Sequence, residues 1–165
     1  MSQPAGGREL AAQIVRVLGE REQPVAVAES LTGGLLGAAI TDIPGASVVF
    51  RGGIIAYATE LKAALLGVPA GLLASYGPVH PDVAAAMAAG ARDRLGATFG
   101  VATTGVAGPD PADGKPPGTV HIAVSDGMTP VTRKLGLQGG RDMVRRGTVE
   151  QALGLLWSVL WEEGP

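Results

Sequence analysis

Three features of the sequence predict an α/β fold, a layered α/β/α single domain with a mixed sheet. Segments of helical periodicity alternate with short apolar runs up to about residue 103, a hairpin pattern follows, and a long apolar helix comes last. Hydrophobic residues make up 46% of the chain and aromatics only 4%, so small aliphatic packing between helices and sheet must build the core. At 165 residues, one domain over 1–165 with a substantial single core is expected.

The elements follow in order. Leu10, Ile14, Val17 and Leu18 fall on one face and predict a helix over 7–20. Residues 24–29 read as a short buried strand, and 33–42 as a helix whose small residues let it pack closely on a sheet. Pro44 and Gly45 break the chain, and 47–57 predict a strand interrupted at Gly52-Gly53 by a bulge or bend. Two short helices fit 59–66 and 69–75, the second opened by Pro69 at a position that tolerates proline. Val83, Met87, Ala91 and Leu95 line one side of a clearer helix within 80–96. A strand over 97–103 leads into a loop that carries four prolines between Gly105 and Gly118. Residues 119–125 and 130–137 predict a hairpin about Asp126-Gly127, and the last helix runs over 140–162 with Val149, Leu153, Leu156 and Leu160 inward.

Composition narrows the functions. With no cysteine there are no disulfides, thiolate-bound zinc or thiol nucleophile. His80 and His121 lack zinc-ligand spacing, and no metal or other cofactor is expected. A net charge of −2 speaks against a nucleic-acid partner. No stretch approaches the roughly 18 uninterrupted apolar residues of a membrane helix, and MSQPAGGREL lacks a secretory signal pattern, so a cytoplasmic protein without a membrane partner is expected.

Four groups of residues are candidates for chemistry. In AESLTGG, Ser30 and Thr32 follow an apolar run and precede Gly33 and Gly34, either as helix caps or as a nucleophile beside free backbone N–H groups. Lys62 sits among Leu61, Ala63, Ala64 and Leu65, where it either snorkels to solvent or is desolvated enough to accept a proton. Thr103, Thr104 and Gly105 end a further strand, as either a plain turn or a close approach to ligand. Arg141 and Arg145 share a face in the first turns of the last helix, where the macrodipole disfavours cations. Either Asp142 and Glu150 offset them or they meet an anion. Ligand sites in open α/β sheets form beyond strand carboxyl ends, which favours a common site.

AESLTGG, PGASVVFRGGIIAYATELKAALLGV, MAAGARDRLGATFGVATTGVAGP, PPGTVHIAV and GGRDMVRR together resemble, in collinear order, the C-terminal domain family of the competence/damage-inducible protein CinA. The resemblance implies hydrolysis of the amide of nicotinamide mononucleotide to nicotinate mononucleotide and ammonia, without a metal. It also implies the stand-alone form of the family and a homodimer or higher homo-oligomer. By resemblance, Ser30 is the nucleophile, Lys62 its basic partner and Thr104 a hydroxyl near the reacting amide. Glu29, Thr32, Gly33, Gly34, Tyr57, Thr103, Gly105, Arg141 and Arg145 are the expected substrate-binding set, with Glu29 orienting either Lys62 or the loop. Leu31, His80 and Gly140 depart from the family's frequent cysteine, serine and aspartate. The alternative is a non-catalytic nucleotide-binding module with the arginines neutralising phosphate, and a third reading is an interaction domain built on the Ala-rich helices.

Overall fold

The computed structural model describes residues 6–162; residues 1–5, on which half of the MSQPAGGREL reading falls, lie outside it, as do 163–165. The described chain runs α1 (Gly7–Arg21), β1 (Val25–Glu29), α2 (Leu35–Thr41), β2 (Phe50–Ile55), α3 (Thr59–Leu66), α4 (Ala70–Tyr76), α5 (Pro81–Leu95), β3 (Phe99–Gly105), β4 (Thr119–Ser125), β5 (Val131–Gly136) and α6 (Arg141–Glu162). The strands form one five-stranded sheet in the order β2-β1-β3-β4-β5. β1 is parallel to both β2 and β3, whereas β3, β4 and β5 are successively antiparallel, so the sheet is mixed as expected.

Strand β1 shows how the sequence builds the layers. Its five residues are all buried, and side chains alternate across a strand, so the two faces take different residues. Val25 and Val27 join Leu18, Leu36, Ile122 and Leu156 in the core beneath α1, α2 and α6. Ala26 and Ala28 face the opposite way, with Ala102, Ala123, Val83, Met87 and Ala88 in the core beneath α5. Methyl-sized side chains on this second face let α5 lie close to the sheet. A Cβ on Gly100 would sit 1.9 Å from the Ala88 carbonyl oxygen, and where α5 meets α3 one on Gly90 would sit 2.0 Å from that of Leu66.

The departures from expectation are local. Ala46–Val48 forms a 3-10 turn rather than strand, because the Pro44-Gly45 break carries on through it, and β2 begins only at Phe50. A bulge is present, but at Arg51 rather than at Gly52-Gly53: Val25 pairs with Phe50 and Ala26 with Gly52, leaving Arg51 as the extra residue, while Gly52 and Gly53 keep regular register with Ala26 and Val27. Strand β3 runs to Gly105, two residues past expectation, because β4 continues the ladder as far as the Gly105–Val120 pair. The β4–β5 hairpin forms, with residues 126–130 as its connection and an N–H···O bond from Met128 to the Asp126 carboxylate at 2.8 Å. No helix among the described residues is long and apolar enough to cross a membrane.

Candidate active site

Strands β1, β2 and β3 are parallel, so their carboxyl ends meet on one edge of the sheet. Glu29 ends β1 between Ile55 of β2 and Thr103 of β3, and the ladder extends one step as the Ser30 N–H donates to the Thr103 carbonyl at 3.1 Å. Ser30 therefore starts its loop from a fixed point. Lys62 arrives from α3, packed directly after β2, and its side chain is only 1% exposed. Its ammonium donates to Ser30 Oγ at 3.0 Å, to the Ala56 carbonyl at 2.8 Å and to the Tyr57 carbonyl at 3.3 Å. Lys62 does not snorkel to solvent.

Burial lowers the Lys62 pKa from 10.5 to about 8, with the nearby Glu60 carboxylate pulling the other way. The geometry then decides what the neutral form does. A neutral amine has two N–H bonds and one lone pair. The two carbonyl oxygens only accept, so they take the N–H bonds, and the lone pair is left for the Ser30 hydroxyl. Such an arrangement can draw the proton off Ser30 Oγ.

A cavity of about 210 Å³ opens onto this pair. Ser30, Tyr57, Lys62, Thr104, Gly105 and Arg141 line it, so six of the expected residues meet at one place. Thr104 Oγ1 donates to the Pro78 carbonyl at 2.8 Å. Arg141 donates to the Gly108 carbonyl at 2.8 Å and to the Tyr57 hydroxyl at 3.2 Å, joining the proline-rich loop to the start of α3. Leu31, Pro78, Val79, Asp110 and Asp113 complete much of the wall and were not among the expected residues. Asp110 and Asp113 lie in the proline-rich loop, where only their charge marked them. A larger hollow of about 330 Å³ between α1, α2 and α6 holds none of the expected residues.

The other six expected residues do not line the cavity. The Glu29 side chain accepts N–H bonds from Gly34, Leu36 and Gly37 at 3.2, 2.8 and 3.0 Å, which makes it the anionic cap of α2. Neither Ser30 nor Thr32 is the cap: α2 begins only at Leu35, after Gly33 and Gly34 with φ of +55° and +105°. Thr32 and Thr103 share a hydroxyl–hydroxyl bond of 2.8 Å and are both fully buried. Arg145 donates to the carbonyls of Leu31 and Thr32 at 2.9 and 3.2 Å. The Ser30 loop is thus tied to α2, β3 and α6. His80 caps α5 through Nδ1, which accepts the Asp82 N–H at 3.1 Å, so the departure from serine keeps a side-chain acceptor at the cap.

The sequence model of the CinA C-terminal domain matches residues 7–160. The chain belongs to the CinA C-terminal domain family. A CinA-like protein of Frankia casuarinae is 54% identical over 147 residues, which cover 89% of this chain and 34% of that protein. A CinA-like protein of Synechococcus sp. strain RCC307 is 51% identical over 150 residues, covering 89% and 36%. This CinA domain therefore spans about a third of the length of the curated relatives it matches. Among solved structures, a competence/damage-inducible protein from Agrobacterium tumefaciens superposes with a TM-score of 0.90 at 36% identity, covering 96% of this chain and 99% of that one. A CinA superfamily protein from Enterobacter cloacae gives a TM-score of 0.92 at 27% identity, covering 97% and 95%. The CinA domain fold, with its mixed five-stranded sheet, is thus shared along nearly the whole chain.

Proposed function

We propose that the domain is an amidohydrolase that deamidates nicotinamide mononucleotide to nicotinate mononucleotide and ammonia, with Ser30 as nucleophile and Lys62 as general base. The observation that carries the reading is the buried 3.0 Å contact between Ser30 Oγ and Lys62 Nζ, with two carbonyls engaging the rest of the amine. The Lys62 lone pair accepts the Ser30 proton as Oγ bonds to the amide carbon. The C–N bond then breaks, and ammonia departs with the proton returned from Lys62. Water attacks the resulting ester, giving its proton to Lys62 and the acid as product, and the proton passes back to Ser30 Oγ.

The developing oxyanion needs donors. The Gly33 N–H already donates to the Ser30 carbonyl and the Gly34 N–H to Glu29. The N–H groups of Leu31 and Thr32 have no acceptor among the described residues and directly follow the nucleophile. One such donor typically contributes about 3–4 kcal/mol to the transition state. Arg141, with donors left over after Gly108 and Tyr57, meets the anionic part of the substrate at the cavity wall.

Ammonia release from nicotinamide mononucleotide, followed beside calorimetric binding, tests the reading. Wild-type protein releases ammonia, and Ser30→Ala binds the nucleotide without releasing any. Binding with no release by the wild type would instead favour a non-catalytic nucleotide-binding module. Assembly as a homodimer or larger oligomer is part of the proposal and is read by sedimentation.

A further inference from the structure

We infer that Arg145 is a positioning residue for the Ser30 loop: it sets the Thr32 N–H toward the oxyanion and does not contact substrate. The inference rests on the serine–lysine reading above. Arg145 lies near the start of α6, more than a hundred residues from the loop it holds. Its Nε donates to the Leu31 carbonyl at 2.9 Å and its Nη2 to the Thr32 carbonyl at 3.2 Å, and it does not line the cavity.

Peptide geometry gives this contact its consequence. In a trans peptide unit the C=O and N–H point in opposite directions. A Leu31 carbonyl drawn onto Arg145 therefore turns the Thr32 N–H away from the guanidinium. Among the described residues, Arg145 is the donor found for the Leu31 carbonyl, so it holds this orientation together with the turn that the Gly33 N–H closes onto the Ser30 carbonyl. The other ties do not reach this carbonyl: the Gly33 N–H closes a turn onto the Ser30 carbonyl, the Leu35 N–H shares the Thr32 carbonyl with Arg145, Thr32 Oγ1 holds its side chain to Thr103, and Glu29 fixes Gly34 and the first turn of α2. A charged donor on a carbonyl also polarises the peptide, which makes its N–H a stronger donor. The loop passes so near that a Cβ on Gly33 would lie 3.3 Å from Arg145 Nη2. An arginine in the opening turns of a helix opposes the macrodipole, and holding two loop carbonyls gives a reason for it to stand there.

Arg145→Met and Arg145→Lys test this beside Arg146→Met, a neighbour that is 70% exposed and pairs with Asp142. Arg145→Met lowers kcat for nicotinamide mononucleotide by about 10- to 100-fold, with KM held within about 2-fold. Arg145→Lys recovers part of that loss, guanidinium ion added in solution recovers part of it in Arg145→Met, and Arg146→Met behaves as wild type. Amide hydrogen exchange over residues 31–37 quickens in Arg145→Met while the melting temperature stays near that of Arg146→Met. A raised KM with unchanged kcat would make Arg145 a substrate contact and overturn the inference. So would exchange over 31–37 equal to that of Arg146→Met. Should the wild type release no ammonia, the amidase reading fails, and the exchange comparison by itself decides whether Arg145 holds the loop.

Discussion

Lys62 is held in surroundings that penalise its charge, and its proposed role and the stability of the fold pull on it in opposite directions. Its pKa of about 8 in the fold lies below the 10.5 of the free side chain, so the unfolded chain binds the proton more tightly. That cost is present in full below pH 8 and is relieved as the pH rises from 8 to 10.5. Lys62→Met keeps the length of an aliphatic side chain without the charge, so the variant is predicted to be inactive yet more stable than wild type in urea at pH 7. The gap between the two narrows as the pH approaches 10.5. Urea titrations at pH 7 and 10 check both statements, and a variant less stable than wild type at pH 7 would contradict the desolvation account. Glu29 carries the converse lesson: a buried carboxylate beside Ser30 serves the amides of α2 rather than the lysine.

At the scale of elements, α5 packs against α3 only because glycine stands at the contact. In an exposed helix Gly→Ala gains about 1 kcal/mol from propensity. At Gly90 the added methyl would lie 2.0 Å from the Leu66 carbonyl oxygen, a backbone atom that cannot swing aside. Overpacking of this kind costs about 1–3 kcal/mol, so Gly90→Ala is predicted to be net destabilising, as chemical denaturation will read. Most of this architecture is legible in the sequence, because it rests on local pattern: the short buried run over 24–29 and the stripe of Val83, Met87 and Ala91 in α5 both appear in the core. The convergence of Ser30, Lys62 and Thr104 was legible through the resemblance and the rule that sites form at strand carboxyl ends. What escaped the sequence reading depends on partners distant in the chain. Arg145 meets carbonyls 113 and 114 residues away, and Thr32 meets Thr103 across 71 residues. No local pattern encodes such pairings. The first turn of α2 was also misread, since a serine or threonine before glycines signals a cap, while the true cap comes from the preceding strand.

Over the whole molecule, the mixed sheet divides the work. Its parallel half brings three strand ends to one edge and so delivers Ser30, Lys62 and Thr104 to a common cavity. Its antiparallel half, β3 to β5, backs that edge, and α6 returns across it to meet the Ser30 loop through Arg145. In the proposed mechanism, the chemistry depends on losing one proton from Lys62. The pH dependence of kcat/KM for ammonia release from nicotinamide mononucleotide, in wild type and Lys62→Met, tests this most directly. The wild-type value is predicted to rise through a single step near pH 8 and then level off, because the amine acts only when neutral. Lys62→Met is predicted to show no release at any pH. A wild-type profile flat from pH 6 to 9, or turnover preserved in Lys62→Met, would contradict the account.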